Sequence, residues 1–304
     1  MKNSFVFFGT PLFAEMVLDK LIQAGNVPAV VICNPDRPVG RKKIMTPPPV
    51  KARIMNYEPG IRNKIKIWQP EKLDVGSWML EVGELDFGIV AAYAKIIKKE
   101  ILDIPKKGTI GVHPSLLPKY RGASPIQSVI LSGEEETGAT LYLMDEKMDH
   151  GSILASSKLQ IANSRCYSDL LEELAELGGD LLVETLPKFL AGEVKPVEQN
   201  HDLATFTKKF SIENAFVAEE DLRAALASGG EKAIKIDRMI RALNPEPGVW
   251  TCMRKPKQGS MRRAHANECV RVKLLESEIQ SDKLVLRKIQ MEGKKPTTDA
   301  AWLN

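Results

Sequence analysis

SFVFFGTPLFAEMVLDKLIQAGNVPAVVIC, from Ser4 to Cys33, decides the fold. Ser4 to Phe8 is a short apolar run that stops at Gly9-Thr10-Pro11. From Phe13 to Ala24 the residues Phe13, Met16, Val17 and Leu21 recur at helical spacing and share one face. Val27 to Cys33 is β-branched and apolar, the pattern of a strand buried on both faces. Strand, helix and strand in that order open a parallel sheet. The turn after the first strand holds only Gly9, so the three-glycine dinucleotide fingerprint is missing. That argues against NAD or FAD binding in a Rossmann-like sheet.

The alternation continues. Asp86 to Tyr93 (DFGIVAAY) reads as a central strand and Gly108 to His113 as another. Ser124 precedes Pro125, which suits the first position of a helix. Ala139 to Leu143 and Ser152 to Leu159 are further strands, and Tyr167 to Ala191 is a long amphipathic helix interrupted at Gly178-Gly179. The result is an α/β domain with a mostly parallel sheet over residues 1–195. Asn34 to Pro49 breaks the pattern: Pro35, Pro38, Gly40 and Pro47 to Pro49 predict irregular chain, and long loops inside a compact domain are often functional. Residues 196–210 are polar and read as a linker. Residues 211–304 change character, with helices at Leu222–Ala227 and Lys235–Leu243. Short strands follow at Val249–Thr251, Val270–Leu275 and Leu284–Ile289, a small C-terminal domain resembling a partly open β-barrel, OB-like.

At 304 residues, 43% hydrophobic and 27% charged, the chain is long enough for a sizeable core without a metal or disulfide staple. Cys33, Cys166, Cys252 and Cys269 are scattered, which argues against a structural zinc site and a disulfide framework. No run approaches the roughly 18 apolar residues of a membrane span, and the N-terminus reads as a strand rather than a leader. Net charge is +4. Arg37, Arg41, Lys42, Lys43 and Lys51 crowd the proline-rich loop, and from Trp250 onward twelve basic residues face six acidic ones. Two basic segments on a nearly neutral body suit a polyanionic partner, although solubility explains charge equally well.

His113 lies at the end of its expected strand, and ligands of open α/β sheets bind outside the carboxyl ends of strands. Asp149 follows 36 residues later, in the loop between the next two strands. Neighbouring parallel strand ends would bring this imidazole and carboxylate within reach of each other. Taken singly, each is ordinary: a strand-end His is more often structural, and Asp before Gly is usual turn chemistry.

Their contexts carry more. HPSLLPKYRG from His113 to Gly122 with ASPIQ after it, MDEKMDHGSIL from Met144 to Leu154, and FFGTPLFA from Phe7 to Ala14 closely resemble the folate-dependent formyltransferase family. NPDRPVGRKKIMTPPPVK from Asn34 to Lys51, WQPEKL, IRALNPEPGVWT and QMEGKKP narrow the likeness to its methionyl-tRNA formyltransferase members and extend it over nearly the whole chain. The resemblance implies a cytoplasmic monomer that takes the formyl group of 10-formyltetrahydrofolate and places it on the α-amino group of initiator methionyl-tRNA, without a metal. It implies His113 and Asp149 as catalytic residues. It implies Ser115, Leu116, Leu117 and Pro118 as the folate wall, with Ala92, Tyr93, Ile97, Met144, Asp145 and Glu146 bordering the pterin. Arg37, Arg41, Lys42 and Lys43 would meet the tRNA acceptor end.

The chain departs from the family at Gly111, where the pattern Asn-x-His supplies an amide donor. Loss of one donor to a developing oxyanion typically costs about 10²–10³ in rate, so the protein is expected to be slow unless water or another residue substitutes, with Ser115 and Tyr93 as nearby candidates. Ala94 stands for a usual Gly and Lys98 for a common Pro. His150 and His265 are expected to be non-catalytic, and His201 falls in the linker. Two rival readings follow: a sugar-nucleotide N-formyltransferase, or a weakly active tRNA- or folate-binding homologue.

Overall fold

A computed structural model describes residues 4–40, 42–162, 164–254 and 269–298. The first compact unit comprises residues up to Pro125, Glu136–Gln160 and Leu170–Thr207. It is built on β1 (Phe5–Gly9), α1 (Leu12–Gln23) and β2 (Val30–Ile32), the unit read from the opening sequence. Then come β3 (Arg37–Val39), β4 (Ile44–Thr46), α2 (Pro49–Met55), α3 (Pro59–Arg62), β5 (Lys66–Trp68), α4 (Val75–Glu81), β6 (Phe87–Ala91), α5 (Lys99–Leu102), β7 (Thr109–His113) and β8 (Arg121–Gly122). After α6 (Pro125–Ser132) lie β9 (Glu136–Leu143), β10 (Ile153–Gln160), α7 (Tyr167–Leu190) and β11 (Phe206–Thr207).

Seven strands form the main sheet in the order β10-β9-β7-β6-β1-β2-β5. β1, β2, β5, β6 and β7 are parallel, whereas β9 is antiparallel to both β7 and β10. The central strands β1 and β6 are fully buried, as FVFFG and FGIVA require: their apolar residues have a core on each face. Phe8 stacks on the fully buried Trp78, with ring centroids 5.7 Å apart.

Three expectations are revised within this unit. α7 is continuous through Gly178 and Gly179. A β-carbon on Gly178 would lie 3.0 Å from Val112, so glycine there lets the helix settle on the sheet instead of breaking it. The proline-rich stretch is not wholly irregular, because β3 and β4 pair as an antiparallel hairpin. The segment read as a linker is part of this unit through Thr207: Val197 bridges Ile153, and β11 pairs with β8.

The second unit comprises Ile126–Glu135, Ile161–Asp169 and residues from Lys208 onward. β12 (Phe216–Val217), β13 (Trp250–Arg254), β14 (Cys269–Gln280) and β15 (Lys283–Met291) make an open four-stranded sheet, a half-barrel. α8 (Glu219–Ala227) and α9 (Glu231–Leu243) accompany it, and α9 buries Ile236 and Ile240. The buried Asp237 is paired with Arg241 at 2.8 Å and accepts a bond from the Ser277 hydroxyl at 2.8 Å, so its charge is compensated. Cys252 and Cys269 form a disulfide between β13 and β14, contrary to the expectation from their scatter. The Cα atoms are 5.5 Å apart, a proximity that strand pairing creates and spacing in sequence does not display.

Thr140, on β9, holds the SLLP loop from beneath. Its hydroxyl donates to the Ser115 carbonyl at 2.7 Å and accepts from the Leu117 amide at 3.1 Å. Thr140→Val keeps the shape and leaves both main-chain groups buried without a partner. It is expected to lower stability by about 1–3 kcal/mol in urea unfolding, with the secondary structure unchanged.

Candidate active site

His113 ends β7 with its side chain only 7% exposed. Its Nε2 lies 2.9 Å from the carbonyl oxygen of Tyr120. A carbonyl only accepts, so Nε2 carries the proton and Nδ1 is the nitrogen turned toward Asp149. Tyr120 presents this carbonyl from a left-handed backbone, φ 59°.

The Asp149 carboxylate, 16% exposed, places Oδ2 3.7 Å from His113 Nδ1. That distance is beyond a hydrogen bond, so the carboxylate acts on the ring through its field, and the tautomer is set by Tyr120. The carboxylate is itself tightly held: Gly122 N–H donates to Oδ2 at 2.6 Å and the Tyr142 hydroxyl to Oδ1 at 2.7 Å. Gly122 has φ 111°, and a β-carbon there would strike the Thr207 carbonyl, so only glycine brings this amide to the carboxylate. Burial, followed by the Asp149 charge, pushes the Tyr142 hydroxyl well above its ordinary range, and it remains a donor.

Behind the pair lies a polar brace that the sequence reading missed. Gln199 Nε2 donates to the carbonyls of Asp149 at 3.0 Å and Gly151 at 2.7 Å. Its Oε1 accepts from Arg121 Nη2 at 2.6 Å, and the same guanidinium nitrogen reaches His201 Nδ1 at 2.9 Å. His150 stacks on His201, centroids 4.1 Å apart, and its Nδ1 meets Asp145 Oδ2 at 2.7 Å. Met144, Asp145, His150, Gly151, Glu198 and His201 line a cavity of about 350 Å³. Arg121 stands inside the HPSLLPKYRG motif and was open to notice. Gln199 and His201 lie in the supposed linker and carried no signal.

The expected binding residues fall into separate groups. Tyr93, Ile97 and Met144 pack in one cluster with Phe8, Val90 and Ile101. Burial raises the Tyr93 phenol to about 12, and its oxygen is buried without a partner. Ala92 adopts φ 46°. Ala94 does not adopt a left-handed backbone, and Lys98 sits at φ −68°, a value proline shares. Ser115 and Leu117 are buried, while Leu116 and Pro118 are half-buried. The Ser115 hydroxyl is committed to the Lys119 carbonyl at 2.7 Å, so it is not a spare donor for chemistry. Glu146 is exposed.

On the β3–β4 hairpin, Arg37 pairs with Glu71 at 3.1 Å, both well exposed. Lys42 and Lys43 are exposed at the turn. Arg41 and His265 lie outside the described residues. No group of three His, Cys, Asp or Glu side chains suited to a metal occurs among the described residues, and no helix among them is long and apolar enough to cross a membrane.

The family model described as "Formyl transferase" matches residues 1–186. The chain belongs to the formyl transferase family. The methionyl-tRNA formyltransferase of Enterococcus faecalis is 39% identical over 81% of this chain and 74% of its own length. That of Chloroflexus aurantiacus is 34% identical over 98% of this chain and 95% of its own. Among solved structures, the methionyl-tRNA formyltransferase of Clostridium thermocellum shares the fold, with TM-score 0.55 and 15% identity over 95% of this chain and 98% of that one. In this formyl transferase the brace around Asp149 gives a direct expectation. Gln199→Ala strands two carbonyls and takes from the buried Arg121 guanidinium its Gln199 acceptor, leaving it the His201 contact, and should lower stability by about 2–3 kcal/mol in urea unfolding. The neighbouring Glu198, its side chain 85% exposed, serves as the control. Glu198→Ala should stay within about 0.5 kcal/mol of the wild type.

Proposed function

We propose that this formyl transferase moves the formyl group of 10-formyltetrahydrofolate onto the α-amino group of methionyl initiator tRNA. The observation that carries the reading is the desolvated His113–Asp149 pair, its imidazole tautomer fixed and its carboxylate clamped. Relatives named methionyl-tRNA formyltransferase that align along nearly their whole length support the acceptor.

The chemistry follows from the pair. A model α-amino group has a pKa of about 8, so a useful fraction is nucleophilic near neutral pH. The amine nitrogen attacks the formyl carbon, a carbon–nitrogen bond forms, and negative charge gathers on the formyl oxygen. The Nε2 proton of His113 is taken by the Tyr120 carbonyl, so the ring stabilises that charge as an imidazolium, through its positive charge and the Nδ1–H it then carries. Asp149 offsets positive charge on the ring and accepts the proton shed by the amine, directly or through water. The tetrahedral carbon then releases the folate nitrogen, which gains a proton, and the formyl group remains on the amino acid. No covalent enzyme intermediate and no metal step is needed.

Folate fits the residues present. Tyr93, Ile97 and Met144 offer an apolar wall, and the unpartnered Tyr93 oxygen offers one polar contact. Ser115, Leu116, Leu117 and Pro118 form a loop held from beneath by Thr140, and Asp145 and Glu146 supply acceptors for a pterin's N–H groups. Ala92 turns the chain sharply at the end of β6. For tRNA, Arg37, Lys42 and Lys43 place cations on a hairpin outside the main sheet, and with Arg41, adjacent in sequence, they would neutralise phosphates and meet unpaired base edges.

Two outcomes test this reading. His113→Ala should lower formyl transfer to methionyl initiator tRNA by about 10²–10⁴, with tRNA binding retained. Lys42→Ala with Lys43→Ala should weaken tRNA binding and flatten its log–log salt dependence by about 1–2 in filter binding. Efficient transfer to an amino sugar nucleotide and none to methionyl-tRNA would replace the acceptor.

A further inference from the structure

Gly111 and Tyr142 face each other across the β7–β9 ladder, as His113 and Thr140 do two residues on. Alternation along a strand puts all four on one face of the sheet. A β-carbon on Gly111 would overlap the Tyr142 ring, 2.5 Å from Cζ and 2.8 Å from the hydroxyl oxygen. No real carbon contact is that short, so any side chain at 111 is excluded while Tyr142 keeps its place. Tyr142 is 3% exposed, and its hydroxyl ends on Asp149 Oδ1 at 2.7 Å. The volume beside His113 that a residue-111 side chain would fill is thus already taken, by a phenol whose hydroxyl is a hydrogen-bond donor.

We propose that Tyr142 is a positioning residue of the transfer site, and that Gly111 and Tyr142 are a matched pair in which the hydroxyl fixes Asp149 against His113 from the space a residue-111 side chain would occupy. This rests on the formyl-transfer reading. The Asp149 carboxylate makes no hydrogen bond to His113, with Oδ2 3.7 Å from Nδ1, so its place beside the ring depends on what holds its two oxygens. Gly122 N–H holds one of its oxygens and Tyr142 O–H the other. Loss of the hydroxyl frees one oxygen, and the carboxylate can then turn about its side-chain bonds away from Nδ1. Positioning errors of this size act on the chemical step more than on binding. The pairing also explains why the sequence tolerates glycine where the family pattern has asparagine: a carboxamide and this phenol cannot coexist.

Three variants decide the matter in steady-state and single-turnover formylation of methionyl initiator tRNA from 10-formyltetrahydrofolate. Tyr142→Phe removes only the oxygen. It is expected to lower kcat about 10- to 100-fold, with KM for both substrates within about twofold and thermal unfolding retained. Gly111→Asn alone should lose activity because the ring is displaced. Gly111→Asn in a Tyr142→Ala background should be more active than Tyr142→Ala alone, a reversal of sign that additivity forbids. A Tyr142→Phe enzyme with unchanged kcat would show that the ring merely packs, and would overturn the proposal whatever the double variant does. Equal harm from Gly111→Asn in both backgrounds would overturn the matched pair. A wild-type chain inert toward methionyl-tRNA would sink the function and this proposal together, whereas an active wild type beside an unimpaired Tyr142→Phe would sink the proposal alone.

Discussion

The carboxylate of Asp149 is held without a hydrogen bond to the imidazole it serves. Gly122 and Tyr142 grip its two oxygens, and Gln199 fixes its main chain. Much of the surrounding structure makes those three grips possible. β11 pairs with β8, and the Thr207 carbonyl beside Gly122 leaves no room for a β-carbon. β9 runs antiparallel to β7, which sets Tyr142 over Gly111. Residues 196–207 pack into the first unit, which delivers Gln199. A charge desolvated this far costs several kcal/mol unless its lone pairs are satisfied, and the site meets that requirement with a main-chain amide and one phenol.

The sheet was legible because its information is local. Ser4 to Cys33 shows the strand–helix–strand pattern in composition alone, and Asp86–Tyr93 and Gly108–His113 are apolar runs of strand length. The family motifs made His113 and Asp149 visible as a pair. Their expected route to each other, through neighbouring parallel strand ends, was not the real one: β9, the strand that leads to Asp149, is antiparallel to β7. The group that sets the His113 tautomer could not be read at all, because it is the carbonyl of Tyr120 rather than a side chain. Gln199 and His201 were hidden in polar sequence with no periodicity, and their importance comes from long-range contacts with Arg121. Gly111 was legible as an anomaly but not as a consequence, since the reason stands 31 positions away on another strand.

Glycine and proline misled in two places. Gly178-Gly179 looked like a helix break, yet α7 passes through because the sheet comes close enough to reward the missing side chains. The prolines around the basic loop looked like irregular chain, yet Arg37–Val39 and Ile44–Thr46 pair, Pro38 included. An isolated two-stranded ribbon outside the main sheet tolerates proline because half of its amides face away from the partner. Such a ribbon leaves Lys42 and Lys43 exposed at its turn.

The most direct test is the rate of a single turnover with Asp149→Asn, at saturating 10-formyltetrahydrofolate and methionyl initiator tRNA. The substitution keeps the shape of the side chain and removes its charge. If the carboxylate's field on His113 and its proton acceptance drive the step, the transfer rate falls by about 10²–10⁴ with both substrates still bound. A rate within a few-fold of the wild type would contradict the central role given to Asp149.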